Sequence, residues 1–370
     1  MHQALLYPLD QGTPTLPSQD RQGSGACSPA QAHQGHLLRS HGNELTTETT
    51  HPAGLTPPPH IGMIDRLDSQ AEFTQIYQTM TPDQYCQDKT AKSGSSFYYS
   101  FLFLPPKQRR AIISLYAFCR EVDDVVDETQ EHEIARIKLA WWRKEIERVY
   151  NGTAEHMVGK ALQETIRHFD LSQEHFIEVI DGMEMDLDYN AYPTFKELSL
   201  YCHRVASVVG LMSAEIFGYD DRKTLKYAHA LGMAFQLTNI LRDVHEDSVR
   251  GRLYIPLDEL ERFGVTTEEL MENRTTDNIR ALFEFQAARA RDYYKQAFEL
   301  LPDCDRHPQR SGLIMATIYR AILDEIERDD YRVLEHRTSL TPIRKLWLAW
   351  RTSRKEKRRH KAYLKGAAAA

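Results

Sequence analysis

The sequence predicts an all-α fold built as a single helical domain. Apolar residues recur three and four apart from about residue 81 to 335, as expected for helices that bury one face. The two-residue alternation of a half-buried strand is nearly absent. No internal repeat of about 20–50 residues is visible, which argues against a solenoid.

Taken in chain order, residues 1–62 stand apart. Positions 1–60 hold eight of the 16 prolines and six of the 16 histidines, with Tyr7 as their one aromatic residue. Such a stretch buries too little apolar surface to offset its ordering entropy, so a disordered extension is expected there. The histidines are irregularly spaced, which weighs against metal binding. Thr81-Pro82 reads as an N-cap followed by a first-turn proline. Pro105-Pro106 closes an aromatic run and opens a helix carrying Ile112, Leu115, Tyr116, Phe118 and Cys119. Further helices are expected at about 133–150, 156–169, 173–189, 195–217, 221–246, 275–301 and 308–335. Arg252 to Pro256 is the best strand candidate, and its proline confines it to an edge or a loop. The helical domain is placed at 63–340 and a basic tail at 341–370.

Charge excludes some function classes. The balance is 46 − 53 = −7, which gives no electrostatic reason to expect nucleic acid. Between Arg344 and Lys365 lie ten Lys or Arg and one acid, Glu356, so the rest of the chain carries −7 − 9 = −16. Five scattered cysteines with no C-x-x-C pair suit a reducing compartment and neither disulfides nor zinc. No apolar run reaches the ~18 residues of a membrane span, and the start lacks signal-peptide character. A cytoplasmic protein, soluble or peripheral on the membrane face, is expected. In the tail, Leu346, Trp347, Leu348 and Trp350 precede Arg354, Lys355, Lys357, Arg358 and Arg359. Contact with an anionic membrane and a docked helix with a solvated basic end both fit that pattern.

Two acidic helix faces carry the chemical signal. In YAFCREVDDVVDE, Asp123 and Asp127 share a face with Tyr116 and Arg120 below them. In QLTNILRDVHED, Gln236, Asn239, Asp243 and Asp247 run along one face at spacings of three, four and four, flanked by Arg242 and Glu246. Carboxylates four apart repel by a few tenths of a kcal/mol, and the neighbours on these stripes are amides and apolar groups instead of lysines. An external cation would compensate. Magnesium fits best, since it takes one or two carboxylates and completes its shell with water and phosphate; no 12-residue calcium loop is present. Two solvated surface faces are the plain alternative. Arg250 and Arg252 flank Gly251 just beyond the second face, and arginine suits phosphate. Ser95-Ser96 reads equally as a diphosphate donor or a helix cap. Tyr201 and Arg204 lie beside Ala206, Ser207 and Gly210, a stripe that suits close helix packing first and a channel for a thin apolar chain second.

These segments resemble the squalene/phytoene synthase family. The stretches are SGSSFYYSFLFLPP, LYAFCREVDDVVDE, YCHRVASVVGLMSAEIFGY, AFQLTNILRDVHEDSVRGRLYIPLDEL and IYRAILDEI, spread from Ser93 to Glu327. Chain-elongating prenyltransferases carry two DDxxD motifs and terpene cyclases a differently spaced second motif, so neither matches the second face. The resemblance implies an isoprenoid (terpenoid) synthase-like bundle around a central cavity, acting on two prenyl diphosphates. Asp123, Asp124, Asp127, Asp243 and Asp247 would hold magnesium (or manganese), assisted by Gln236 and Asn239. Ser96, Arg120, Arg242 and Arg252 would grip diphosphate. Tyr116, Tyr254 and Tyr319 would line the reacting region, Phe97 and Leu211 the prenyl channel, and Tyr201 and Arg204 belong to a further site segment. His245 departs from the family pattern, which puts a small or acidic residue there.

Within the family, the SGSSFYYSF start and the lack of a C-terminal membrane span most resemble the presqualene diphosphate synthases of the bacterial hopanoid route. Two farnesyl diphosphates would then be the substrates. Two geranylgeranyl diphosphates (phytoene synthesis), or full squalene synthesis with NADPH, are the alternatives; NADPH is expected only in the last. A catalytically dead lipid-binding scaffold is the non-enzymatic one. A monomer or homodimer fits equally.

Overall fold

The computed structural model describes residues 80–93, 96–129 and 131–369. The expectation of disorder over 1–62 lies outside the described residues.

The first helix, α1 (Pro82–Lys92), starts as predicted: Thr81 and Gln84 form a reciprocal capping box and Pro82 sits in the first turn. α2 (Phe97–Phe101) is a short aromatic turn. Pro106 opens α3 (Pro106–Glu128), followed by α4 (His132–Asn151), α5 (Met157–Ile166) and α6 (Gln173–Asp188). α7 (Phe195–Cys202) runs through a π-helical segment, His203–Ser207, into α8 (Val208–Phe217). α9 (Lys223–Val249) is central, and α10 (Leu257–Phe263), α11 (Asp277–Leu300), α12 (Arg310–Arg328) and α13 (Pro342–Ala369) follow. Among the described residues the one β-type pairing is an isolated bridge, Ala191 to Leu253. The fold is therefore all-α, and Arg252–Pro256 is the extended loop its proline allowed.

Two apolar clusters hold the bundle. One gathers Leu115, Phe118, Leu139, Trp142, Phe176 and Ile180 from α3 to α6; the other gathers Leu231, Leu237, Phe283, Tyr294, Ile314 and Ile322 from α9, α11 and α12. Each fully buried large side chain of this kind contributes about 1.5–3 kcal/mol. α9 is buried nearly all round, from Tyr227 and Leu231 to Leu241 and Val244, which makes it a core helix instead of a surface one. The small-residue stripe packs closely against it. A Cβ added at Gly232 would lie 2.6 Å from the Ser207 Cα, so Gly232→Ala would overpack by about 1–3 kcal/mol.

Two departures from the periodicity matter for the site. The helix expected to run to 335 stops at Arg328, where Asp330 and Tyr331 take left-handed φ values of 59° and 57°. Tyr331, Val333 and Leu334 are buried, and their burial pulls the chain back across the bundle. The helix expected over 195–217 is interrupted by the π segment, where Ser207 donates to the His229 carbonyl at 3.0 Å. At the end of the chain, α13 packs on α12 and α2; Ala349 and Thr352 are buried, and Glu356 is buried against Arg306 in the segment before α12.

Candidate active site

A cavity of about 620 Å³ opens between the two acidic faces and runs down into the bundle. Its mouth carries Arg120, Asp123, Asp127, Asp243, Asp247, Arg250 and Arg252; its depth is lined by residues such as Phe101, Ile112, Leu231 and Met315. The cavity is thus charged at one end and apolar at the other.

On α3, Arg120 grips Asp123 and reaches Asp124 at 2.5 Å. Gly251, at φ 79°, turns the chain after α9, and the turn sends Arg252 across to Asp127 and to the Val126 carbonyl. Arg250 stands 3.7 Å from the same Asp127. On α9, Arg242 and Arg337 both bond Asp243, each through Nε at 2.7 Å. Among the described residues no arginine side chain bonds the Asp247 carboxylate in this way. Burial, reinforced by repulsion from Asp243, pushes the Asp247 carboxyl up to about 7. Burial also raises Asp123 to about 6 despite Arg120, with Asp127 and Asp124 adding repulsion. Burial acts on Asp243 as well, but hydrogen bonds from Arg242 and Arg337 hold it below the usual carboxylate range.

Aromatic residues form the next layer. Phe97 lies 5.7 Å from Tyr116, 6.1 Å from Phe235 and 5.9 Å from Tyr319, and Phe235 and Tyr319 are 5.0 Å apart. Four rings therefore wall the cavity below the charged mouth. Tyr201 and Tyr254 stack at 5.0 Å and donate to one buried carboxylate, Asp186, at 3.0 and 2.8 Å. Burial pushes Asp186 up to about 7, against the pull of those hydroxyls and of Arg252.

Most of the expected site residues meet in this cavity: Ser96, Phe97, Tyr116, Arg120, Asp123, Asp127, Tyr201, Gln236, Asn239, Arg242, Asp243, Asp247, Arg252, Tyr254 and Tyr319 all line it. Ser96 stands at the N-cap of α2 without a capping side-chain bond; Ser95 lies outside the described residues. Three expected residues do not line the wall. Asp124 is turned to Lys89 at 2.8 Å and to Arg120. Arg204 pairs with Glu178 at 3.0 Å, carried aside at the π segment. Leu211 packs against the α9 core cluster and is absent from the lining, as is His245. Residues that sequence reasoning missed include Asp186, Arg337 and Lys345, all in the wall. Asp186 was hidden among the other acids of GMEMDLD, and Arg337 sits 94 positions from its partner.

The donor set suits a hard divalent cation. Among the described residues no three His, Cys, Asp or Glu side chains form a ready cage. Magnesium, however, needs only one or two carboxylates and takes its other oxygens from water and phosphate. Among the described residues Asn239, one turn from Asp243, leaves its buried Oδ1 without a partner, and Asp247 adds a carboxylate destabilised by burial and by its neighbour Asp243.

Comparison with known proteins agrees with this geometry. The squalene/phytoene synthase family model matches residues 90–344. The chain is 37% identical over 282 residues to the 15-cis-phytoene synthase of Synechocystis sp., covering 72% of this chain and 84% of that protein. It is 38% identical over 280 residues to the phytoene synthase of Arthrospira platensis, covering 71% and 89%. A dehydrosqualene synthase solved with a ligand superposes with a TM-score of 0.66 at 30% identity, covering 79% of this chain and 99% of that one. Squalene synthase HpnC from Alicyclobacillus acidocaldarius superposes with 0.61 at 30% identity, covering 68% and 94%. With the match spanning most of its helices and both acidic faces, the chain belongs to the squalene/phytoene synthase family and is a prenyltransferase.

Proposed function

We propose that the chain joins two prenyl diphosphates head to head with release of diphosphate, and that its substrate is geranylgeranyl diphosphate, making it a phytoene synthase. One observation carries the reaction type: two acidic helix faces and their arginines close the charged end of an apolar, aromatic cavity. The chain length rests on the curated relatives, which are phytoene synthases at 37–38% identity. They favour this over the farnesyl diphosphate and presqualene diphosphate reading drawn from the motifs. That reading keeps support from the dehydrosqualene and squalene synthase structures at 30% identity and stands second.

In this mechanism Arg120, Arg242, Arg252 and Arg337, now bound to carboxylates, turn to the entering diphosphates, whose geometry suits their forked donors. Asp123 and Asp127 on α3, and Asp243, Asp247 and Asn239 on α9, would hold magnesium. When bound, that ion stabilises the negative charge of the leaving diphosphate as a Lewis acid. Breaking the C–O bond leaves an allylic cation, which the faces of Phe97, Tyr116, Phe235 and Tyr319 stabilise. The double bond of the second prenyl diphosphate attacks the cation, and loss of a proton closes a cyclopropane that still carries the second diphosphate. Departure of that diphosphate, rearrangement of the resulting cation and loss of a second proton give the C40 hydrocarbon without a reductant. The released diphosphate is one acceptor for the first proton; the other is Tyr254, which takes it while passing its own hydroxyl proton to the Asp186 carboxylate it is bonded to. The apolar depth holds the prenyl chains and excludes the water that would quench the cation.

Product identification tests both levels. Purified protein is incubated with farnesyl or geranylgeranyl diphosphate, with magnesium, with and without NADPH. C40 product from geranylgeranyl diphosphate, independent of NADPH, is expected. Turnover of farnesyl diphosphate alone would reject the phytoene reading, and no diphosphate release from either would reject the reaction.

A further inference from the structure

The outward face of α13 is left unused by this chemistry. Its inner face holds Ala349, Thr352 and Glu356. Glu356, the one acid between Arg344 and Lys365, is turned inward and held by Arg306 Nε and Nη2, both at 3.1 Å. It cancels no charge on the outer side. There, Ile343, Trp347 and Trp350 are 81%, 51% and 48% exposed, and Arg354, Lys357 and Lys361 are exposed beyond them. At 3.6 residues per turn these six share one side of the helix. Arg351 and Arg354 lie over the rings of Trp347 and Trp350, at 5.1 and 4.9 Å. Rings and cations are therefore presented together.

We infer that this face docks α13 along the surface of an anionic lipid bilayer, tryptophans at headgroup depth and basic residues against lipid phosphates. Charge complementarity selects the occupant: a helix face with no exposed acid, on a chain otherwise at −16, is attracted to a negative leaflet. The order of groups adds to this. An aromatic-apolar half followed by a basic half matches the boundary between acyl chains and headgroups, where Trp concentrates and Lys and Arg reach phosphate. The other side of the helix start borders the cavity: Lys345 lines it, as do Arg337, Ser339 and Leu340 in the segment that leads into the helix. Docking thereby sets the cavity wall beside the layer into which long prenyl chains partition. This last consequence rests on the prenyl diphosphate reading; the docking does not.

The test is flotation of the full chain with vesicles of phosphatidylcholine, with and without phosphatidylglycerol, at low and high salt. Two exposed-face variants accompany it: Trp347→Ser with Trp350→Ser, and Arg354→Glu with Lys357→Glu and Lys361→Glu. The unaltered protein should float with the anionic vesicles, less so at high salt, with a blue shift of tryptophan emission. Each variant should bind at least about tenfold more weakly and keep micellar turnover within about twofold. Flotation indifferent to anionic lipid and salt, or unchanged in both variants, would overturn the inference. So would a shift of duplex DNA without flotation. A protein that floats but turns over no prenyl diphosphate would sink the proposed function and leave the docking intact.

Discussion

The two acidic faces are built from the same residue types, yet the structure treats them differently. On α3, the arginines come from one turn away (Arg120) and from the turn that follows α9 (Arg252), and both aspartates are engaged. On α9, Arg242 and Arg337 converge on Asp243 alone, and Asp247 is left with a repelling neighbour and a carboxyl raised to about 7. The first face is closed by its own cations; the second leaves a carboxylate in want of one. An ion entering the mouth would relieve Asp247 most, because burial has already cost that group its hydration.

The largest expected effect tests whether both faces work together. Asp123→Asn, Asp127→Asn, Asp243→Asn and Asp247→Asn should each lower magnesium-dependent diphosphate release by about 10²–10³. Full activity in all four would remove the metal site. The comparison sharpens in their thermal stability. Asp243→Asn strands Arg242 and Arg337 and should destabilise by about 1–3 kcal/mol. Asp247→Asn removes a repelled, buried charge and should leave the melting temperature unchanged or higher at pH 8. Equal losses in both would contradict the asymmetry.

Arg337→Gln should come next. Under the proposed function it removes a diphosphate grip from the second face only and should raise KM about tenfold, or roughly 1.4 kcal/mol. A variant with the KM of the parent chain would confine Arg337 to a structural role.

Asp186 lies under both faces and gives a pH signature. Its folded value of about 7 exceeds the ordinary 3.8, so the folded state binds the extra proton and stability falls as pH rises from about 4 to about 7. Asp186→Asn should lose that share of the slope, which is at most roughly 1.4 kcal/mol for each unit of the rise. Denaturation midpoints of parent and variant should therefore diverge with pH, the variant gaining relative to the parent at the alkaline end. Parallel midpoints would place the Asp186 carboxyl in the ordinary range.

The smallest effect is expected off the faces. Glu131 and Glu133 are exposed, and their Gln variants should change turnover by less than about twofold. A larger drop would mean that acidity in general, and not its placement, serves the reaction.

Much of this was legible beforehand for a definite reason. Helical periodicity reports which side of a helix is buried, and i, i+4 spacing reports which acids share a side, so Asp123 with Asp127 and Asp243 with Asp247 were readable from local order alone. The Pro82 and Pro106 starts were equally local. Arg204 and Leu211 were not, since a π-helical turn changes the phase of a face without a clear mark in composition. Chain length was not either: it depends on where the apolar depth ends, and that is shaped by side chains from many helices.

By itself, then, the sequence determined the helices, the two acidic stripes and the basic tail, because each is a matter of residues within a few turns of one another. Only the tertiary structure decided that Arg252 answers Asp127 and Arg337 answers Asp243, and that Tyr201 and Tyr254 share Asp186. It also decided that Glu356 turns inward to leave α13 a basic outer face. Each of these joins residues 15 to 125 positions apart, and pairings across that separation are set by how helices pack, which local periodicity does not encode.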